Sequence, residues 1–189
     1  MFAADANPTG FSVDEWGLVS LPMEDMAQEL DASGEDAFRE KYTCGFLVLL
    51  QGPPRKDEWI DLKTSESSAP DLPPLRKFEH QRAIPLVNSD RNAFDSKIMV
   101  GRARNNDIVI RAPKISKLHS AFIPDGQGGY ALVDMGSRNG TIVNGKRLGR
   151  KEQAQLASGD IILFWRYMFL YVDQENMLAR LKDREIPEP

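Results

Sequence analysis

Apolar and polar positions change rhythm twice along this chain. Between residues 45 and 172 the apolar residues come in short runs of strand length, divided by Gly, Asn, Asp and Pro. The predicted strands are Gly45–Leu50, Trp59–Leu62, Ala83–Val87, Lys97–Val100, Asp107–Ile110, Ser120–Ile123, Tyr130–Asp134, Thr141–Val143, Lys146–Leu148, Ile161–Trp165 and Tyr167–Val172. Pro85 cannot donate to a ladder, which predicts an edge position for its strand. Turns are marked by Pro124-Asp-Gly-Gln-Gly-Gly129, by Asn144-Gly145, a strong two-residue hairpin signal, and by Ser158-Gly159-Asp160. Short strands at spacings of about ten residues predict an all-β sandwich.

Outside this block the rhythm is helical. Met23, Met26, Ala27 and Leu30 share one face of a predicted helix over Met23–Leu30, opened by Pro22. A second short helix is predicted from Ser33-Gly-Glu-Asp to Tyr42, with acids in its first turn where the helix dipole favours them. A third covers Gln174–Lys182, with Met177, Leu178 and Leu181 on one face; it ends before Pro187 and is expected to pack on the sandwich or to fray. Residues 1–20 show no sustained period and are expected to be loosely ordered, docking through Phe11, Trp16 and Leu18. Thr64 to Pro74 is rich in Ser and Pro and reads as a mobile insertion. The expected organisation is an acidic extension over 1–41, a sandwich over 42–173 with a long insertion near 51–97, and a short helix and tail over 174–189.

Composition adds bounds. A length of 189 residues with 41% hydrophobic residues suits one domain with appendages. No apolar run approaches the roughly 20 residues of a membrane span. The N-terminal residues lack the basic and apolar regions of a secretory signal. Cys44 is the one cysteine, so no intrachain disulfide forms and a reducing, cytoplasmic setting is expected, with Cys44 a buried small hydrophobe.

Charge is more telling than the net value of -4. Residues 1–40 hold ten acids and one base, whereas Gly101 to Lys151 hold ten Lys and Arg against three Asp. The acidic head reads as a solubilising cap or as an arm that covers the basic loops.

The loops of the basic block carry Arg102, Arg104, Lys114, Ser116, Lys117, Ser137, Arg138 and Asn139. Cations, hydroxyls and amides are the groups that hold an oxyanion, and a phosphate above all, without reacting with it. Lys146, Arg147, Arg150 and Lys151 read as a solvated basic face, with steering of acidic partners as the alternative. Catalysis is not expected. Only His80 and His119 are present, no spaced Cys/His cluster offers a metal site, and no nucleophile elbow, kinase signature or P-loop occurs. Nucleic acid is disfavoured too, because the block has few aromatics for stacking and the whole chain is acidic.

Gly101-Arg102, Asn106-Asp107-Ile108, Ser116-Lys-Leu-His119, Ser137-Arg-Asn-Gly140-Thr141, Asn144-Gly145 and Leu156-Ala-Ser-Gly159-Asp160 follow one another in an order and spacing that resembles the forkhead-associated (FHA) family. The resemblance covers roughly Gly45 to Val172 and implies a β-sandwich of two antiparallel sheets that binds phosphothreonine peptides. By this resemblance Arg102 contacts the phosphate. Ser116 holds a phosphate oxygen through its hydroxyl and backbone, and Lys114 adds a cation. Asn139 bonds the peptide backbone beside the phosphothreonine, and Lys117 and Arg138 contribute charge. His119 braces the loops from beneath, and Gly101 and Gly140 shape them. No cofactor and no metal are implied. The expected function is a phosphothreonine-dependent adaptor acting downstream of a Ser/Thr protein kinase, with neither nucleic acid nor membrane as partner. The alternative is a phosphate-independent scaffold on the same fold. Thr9 and Thr64, both in stretches expected to be mobile, are candidates for self-binding if phosphorylated.

Overall fold

A computed structural model describes residues 12–14, 17–52, 77–150 and 152–184. Its strands are β1 (Ser12–Val13), β2 (Val19–Pro22), β3 (Phe46–Gln51), β4 (Arg82–Pro85), β5 (Ile98–Gly101), β6 (Ile108–Val109), β7 (Ser120–Pro124), β8 (Tyr130–Asp134), β9 (Thr141–Val143), β10 (Lys146–Arg147), β11 (Gln153–Gln155), β12 (Ile161–Phe164) and β13 (Tyr167–Val172). The helices are α1 (Met23–Ser33), α2 (Glu35–Lys41) and α3 (Gln174–Asp183). The larger sheet has the order β1-β2-β4-β3-β13-β12-β9-β10 and the smaller β11-β8-β7-β5-β6. The two sheets face each other, as a sandwich requires.

The apolar runs explain the layering. Strands β3 and β13 are apolar at nearly every position because both of their faces are covered. Leu47, Phe169 and Tyr171 point into the core between the sheets, where Phe122, Leu132 and Phe164 meet them. Their alternate neighbours Phe46, Val48, Leu170 and Val172 point the other way, into a second core. There Met23, Met26, Ala27 and Leu30 of α1, Phe38 of α2, and Met177, Leu178 and Leu181 of α3 close over the sheet. Each large side chain buried this way stabilises the fold by about 1.5–3 kcal/mol. The helices are therefore a third layer. Ion pairs rim it, from Arg39 to Glu175 at 2.9 Å, from Lys182 to Glu35 at 2.6 Å, and between Arg184 and Asp31.

Several expectations need correction. Strand β4 lies inside the sheet, between β2 and β3, and not on an edge. Pro85 is tolerated because it ends the strand, beyond the last rung with β2 at Leu21 and Ala83. Val19–Pro22 is a strand and not loose chain, with Leu18 buried between the sheets. One pair departs from antiparallel order, since β6 runs parallel to β5 with Val100 opposite Ile108. Strand β11 has the polar sequence Gln-Ala-Gln, which gave no signal. The Asn144-Gly145 hairpin forms as expected, with φ of 48° and 77°. The expected strand Trp59–Leu62, the insertion Thr64–Pro74, Thr9, Phe11, Trp16, Lys151 and Pro187 lie outside the described residues.

Candidate functional site

Register places the basic loops together. Val100 opposes Ser120, Ser120 opposes Asp134, and Gln153 opposes Val133. The β5–β6, β6–β7, β8–β9 and β10–β11 loops thus emerge at one end of the sandwich. The β12–β13 turn joins them, because Phe164 opposes Thr141. A sandwich holds such loops on a rigid frame, and that is where binding residues can be positioned.

Two glycines let the loops approach. A Cβ on Gly101 would overlap the Lys117 carbonyl and lie 3.0 Å from the Asn106 amide nitrogen. Gly140 adopts φ +82°, and a Cβ there would run into the Arg147 guanidinium. With no side chain at Gly101, the Arg102 amide donates to the Ser116 carbonyl at 2.8 Å and the Ala103 amide to the Lys117 carbonyl at 3.1 Å.

His119 is fully buried and ties the β6–β7 loop to the β8–β9 loop. Its Nδ1 accepts from the Ser116 amide at 3.2 Å, which leaves Nε2 to donate to the Gly140 carbonyl at 3.1 Å. Burial lowers its pKa, against the Gly140 carbonyl and Asp134, which raise it, so the ring is held neutral. A neutral, buried ring with both nitrogens engaged is a brace.

Exposed cations and a hydroxyl surround this brace. Arg102 is exposed, and its Nε donates to the Ile115 carbonyl at 3.1 Å. Both Nη nitrogens are without a partner among the described residues. The Ser116 hydroxyl accepts the Arg138 amide at 3.0 Å, so its own proton is free to donate outward. The Lys117 amide has no acceptor among the described residues, and the side chains of Lys114, Lys117 and Arg138 are unpaired there. These residues, with Pro113, Ile115 and Leu118, line one open depression of about 350 Å³. Two details differ from the expected roles. The Ser116 amide is spent on His119 and not presented for a phosphate oxygen. Asn139 uses its amide nitrogen to donate to the Lys114 carbonyl at 2.5 Å, joining two loops, while its carbonyl oxygen keeps open acceptor capacity.

Two supports escaped sequence reasoning. Asp134 accepts from the Gly136 and Ser137 amides and from the hydroxyls of Ser137 and Thr141, at 2.6–2.9 Å, and so folds the β8–β9 loop. Burial raises its pKa, but those donors outweigh burial and leave it below the ordinary value. Its signal was the Asp-x-Gly-Ser spacing, which suits a side chain bonding the backbone two and three residues on. Asp107 is the second. It accepts from Ser89, Asn92 and the Met99 amide, which pins the β5–β6 loop against residues 88–99. Among the described residues no group of three His, Cys, Asp or Glu could hold a metal ion. No helix there is long and apolar enough to cross a membrane.

The family model for the FHA domain matches residues 98–165, the stretch that supplies these loops. The chain carries an FHA domain. Among curated proteins, an FHA domain-containing protein of Arabidopsis thaliana is 34% identical over 97 residues, 48% of this chain and 25% of that protein. The DNA damage response protein kinase DUN1 of Saccharomyces cerevisiae is 33% identical over 96 residues, 46% of this chain and 18% of the kinase. The chain thus spans a quarter or less of these relatives. Among solved structures, the MEK1 FHA domain in complex with a HOP1 phosphothreonine peptide is 26% identical, covers 48% of this chain and 87% of that chain, and has a TM-score of 0.38.

Proposed function

We propose that this FHA domain binds phosphothreonine in a partner protein modified by a Ser/Thr protein kinase, and that it works as an adaptor and not as a catalyst. The observation that carries the proposal is the convergence of the free Arg102 guanidinium edge, the Ser116 hydroxyl and the Lys117 amide on one depression. Arg102 and Ser116 take the phosphate oxygens, and Asn139 reaches the backbone of the bound peptide with its free carbonyl oxygen. Lys114, Lys117 and Arg138 complement a group of about -1.5 to -2 charges. The reading unit lies within 42–173, and the setting is cytoplasmic.

Charge-assisted hydrogen bonds contribute about 1.5–3 kcal/mol each, so losing two with the phosphate costs about 3–6 kcal/mol, a hundredfold or more in affinity. Fluorescence anisotropy against a degenerate phosphothreonine peptide library, beside its unphosphorylated twin, tests this. The expected result is binding to the phosphorylated library alone, lost in Arg102→Ala. Equal binding to both libraries would point instead to a phosphate-independent scaffold.

A further inference from the structure

A second depression lies on the other side of the β8–β9 loop. Gly136, Ser137, Gly140, Arg147, Leu148 and Arg150 line it, together with Asp134. One loop therefore divides two basins, presenting Arg138 to the first and Ser137 and Gly140 to the second.

The second basin is built for an anion. Arg147 stands on β10, which pairs with β9, and its guanidinium lies across Gly140, where no Cβ intervenes. The nearby acids are committed elsewhere. Glu152 binds Lys146 at 2.6 Å and the Gly149 amide at 2.7 Å. Asp134 is 5% exposed and already accepts four hydrogen bonds from its own loop. Arg147 and Arg150 keep no ion-pair partner among the described residues. One phosphothreonine does not need them, since four cations in the first basin already exceed a charge of about -2.

We infer that Arg147 and Arg150 form a second anion subsite, which takes a carboxylate or a second phosphate carried by the same peptide whose phosphothreonine meets Arg102 and Ser116. This rests on the phosphothreonine reading above. Arg suits either oxyanion through its paired N–H donors. The peptide would straddle the β8–β9 loop, and the domain would select acidic or doubly phosphorylated sequences over singly charged ones.

The test uses the full chain and three phosphothreonine peptide pools, with flanks of alanine, of alanine plus one scanned glutamate, or of alanine plus one scanned second phosphothreonine. The wild type is expected to favour a glutamate or second phosphate at defined positions by about five- to tenfold. R147A/R150A should lose that preference while holding its affinity for the alanine pool within about twofold, as expected for exposed charges outside the primary contact. R147K/R150K should retain part of the preference, which separates lost charge from lost folding, and Lys146→Ala should leave it intact. Which of the two scanned pools gains identifies the source of the second anion. A wild type that binds the alanine pool but ignores both scanned groups would overturn this inference alone, as would a preference that survives R147A/R150A. Failure to bind any phosphothreonine pool would overturn the primary reading and this inference with it.

Discussion

Individual side chains at the loop end divide into exposed ones with free donors and buried ones that hold the loops together. Arg102 belongs to the first kind. Its side chain is exposed and makes a single protein hydrogen bond, so Arg102→Ala should shift stability by no more than about 0.5 kcal/mol while phosphopeptide affinity falls a hundredfold or more. A thermal melt beside the anisotropy titration checks both; a large drop in the midpoint would make Arg102 structural. At the opposite extreme, Tyr171 is 1% exposed and its hydroxyl has no hydrogen-bond partner among the described residues. Burial raises its pKa, another sign of a polar group without compensation. Tyr171→Phe should therefore stabilise the protein, by about 1–3 kcal/mol if the full desolvation cost is recovered. An unchanged or lower denaturation midpoint would mean that the hydroxyl has a partner after all. The residues proposed to contact the phosphate stood out in the sequence because cations, a hydroxyl and an amide recur at loop spacings that resemble the FHA family's. Asp134 and Asp107 did not, because a buried acid and a solvated one look alike in sequence until the donors around them are placed.

Among elements, legibility followed the apolar pattern. Strands with a covered face were foreseen, as were the apolar stripes of α1 and α3. The packing of α3 on the sandwich was foreseen, but what the stripe of α1 covered was not, because a stripe reports that a helix packs and says nothing of where. Strand β2 was missed for a related reason, since four residues carry too little periodicity to read. The consequence is thermodynamic. Phe38 is 1% exposed, packs on the Tyr42 ring at 4.7 Å, and belongs to a core that uses the far face of β3 and β13. Phe38→Ala should cost about 3–5 kcal/mol and lower the melting point of the whole molecule in one transition. Far-ultraviolet circular dichroism and aromatic fluorescence should report the same midpoint. Two separated transitions would show that helices and sandwich are independent.

For the whole molecule, His119 sets a pH dependence. Its native pKa is below 6.5, the value the unfolded chain shows, so the unfolded state binds more protons in the interval between the two. Its contribution is complete above about pH 6.5 and is lost as pH falls toward the lowered native value. Asp134 acts further down, because its native pKa lies below 3.8 and its contribution persists above that point. The melting temperature should therefore decline between pH 7 and pH 5, and His119→Gln should flatten that decline. A slope that survives the substitution would assign it to another group. The order of the strands bears on how such a molecule is made. Strand β13 stands in the middle of the larger sheet, between β3 and β12, yet follows every other described strand in sequence. Before Tyr167 leaves the ribosome, β2, β4 and β3 have no hydrogen-bonded rung to β12, β9 and β10, and each group presents a bare apolar edge. Synthesis thus holds these strands as two unjoined half-sheets until β13 emerges, and a chain interrupted in that interval offers two docking edges to any neighbour on the same messenger.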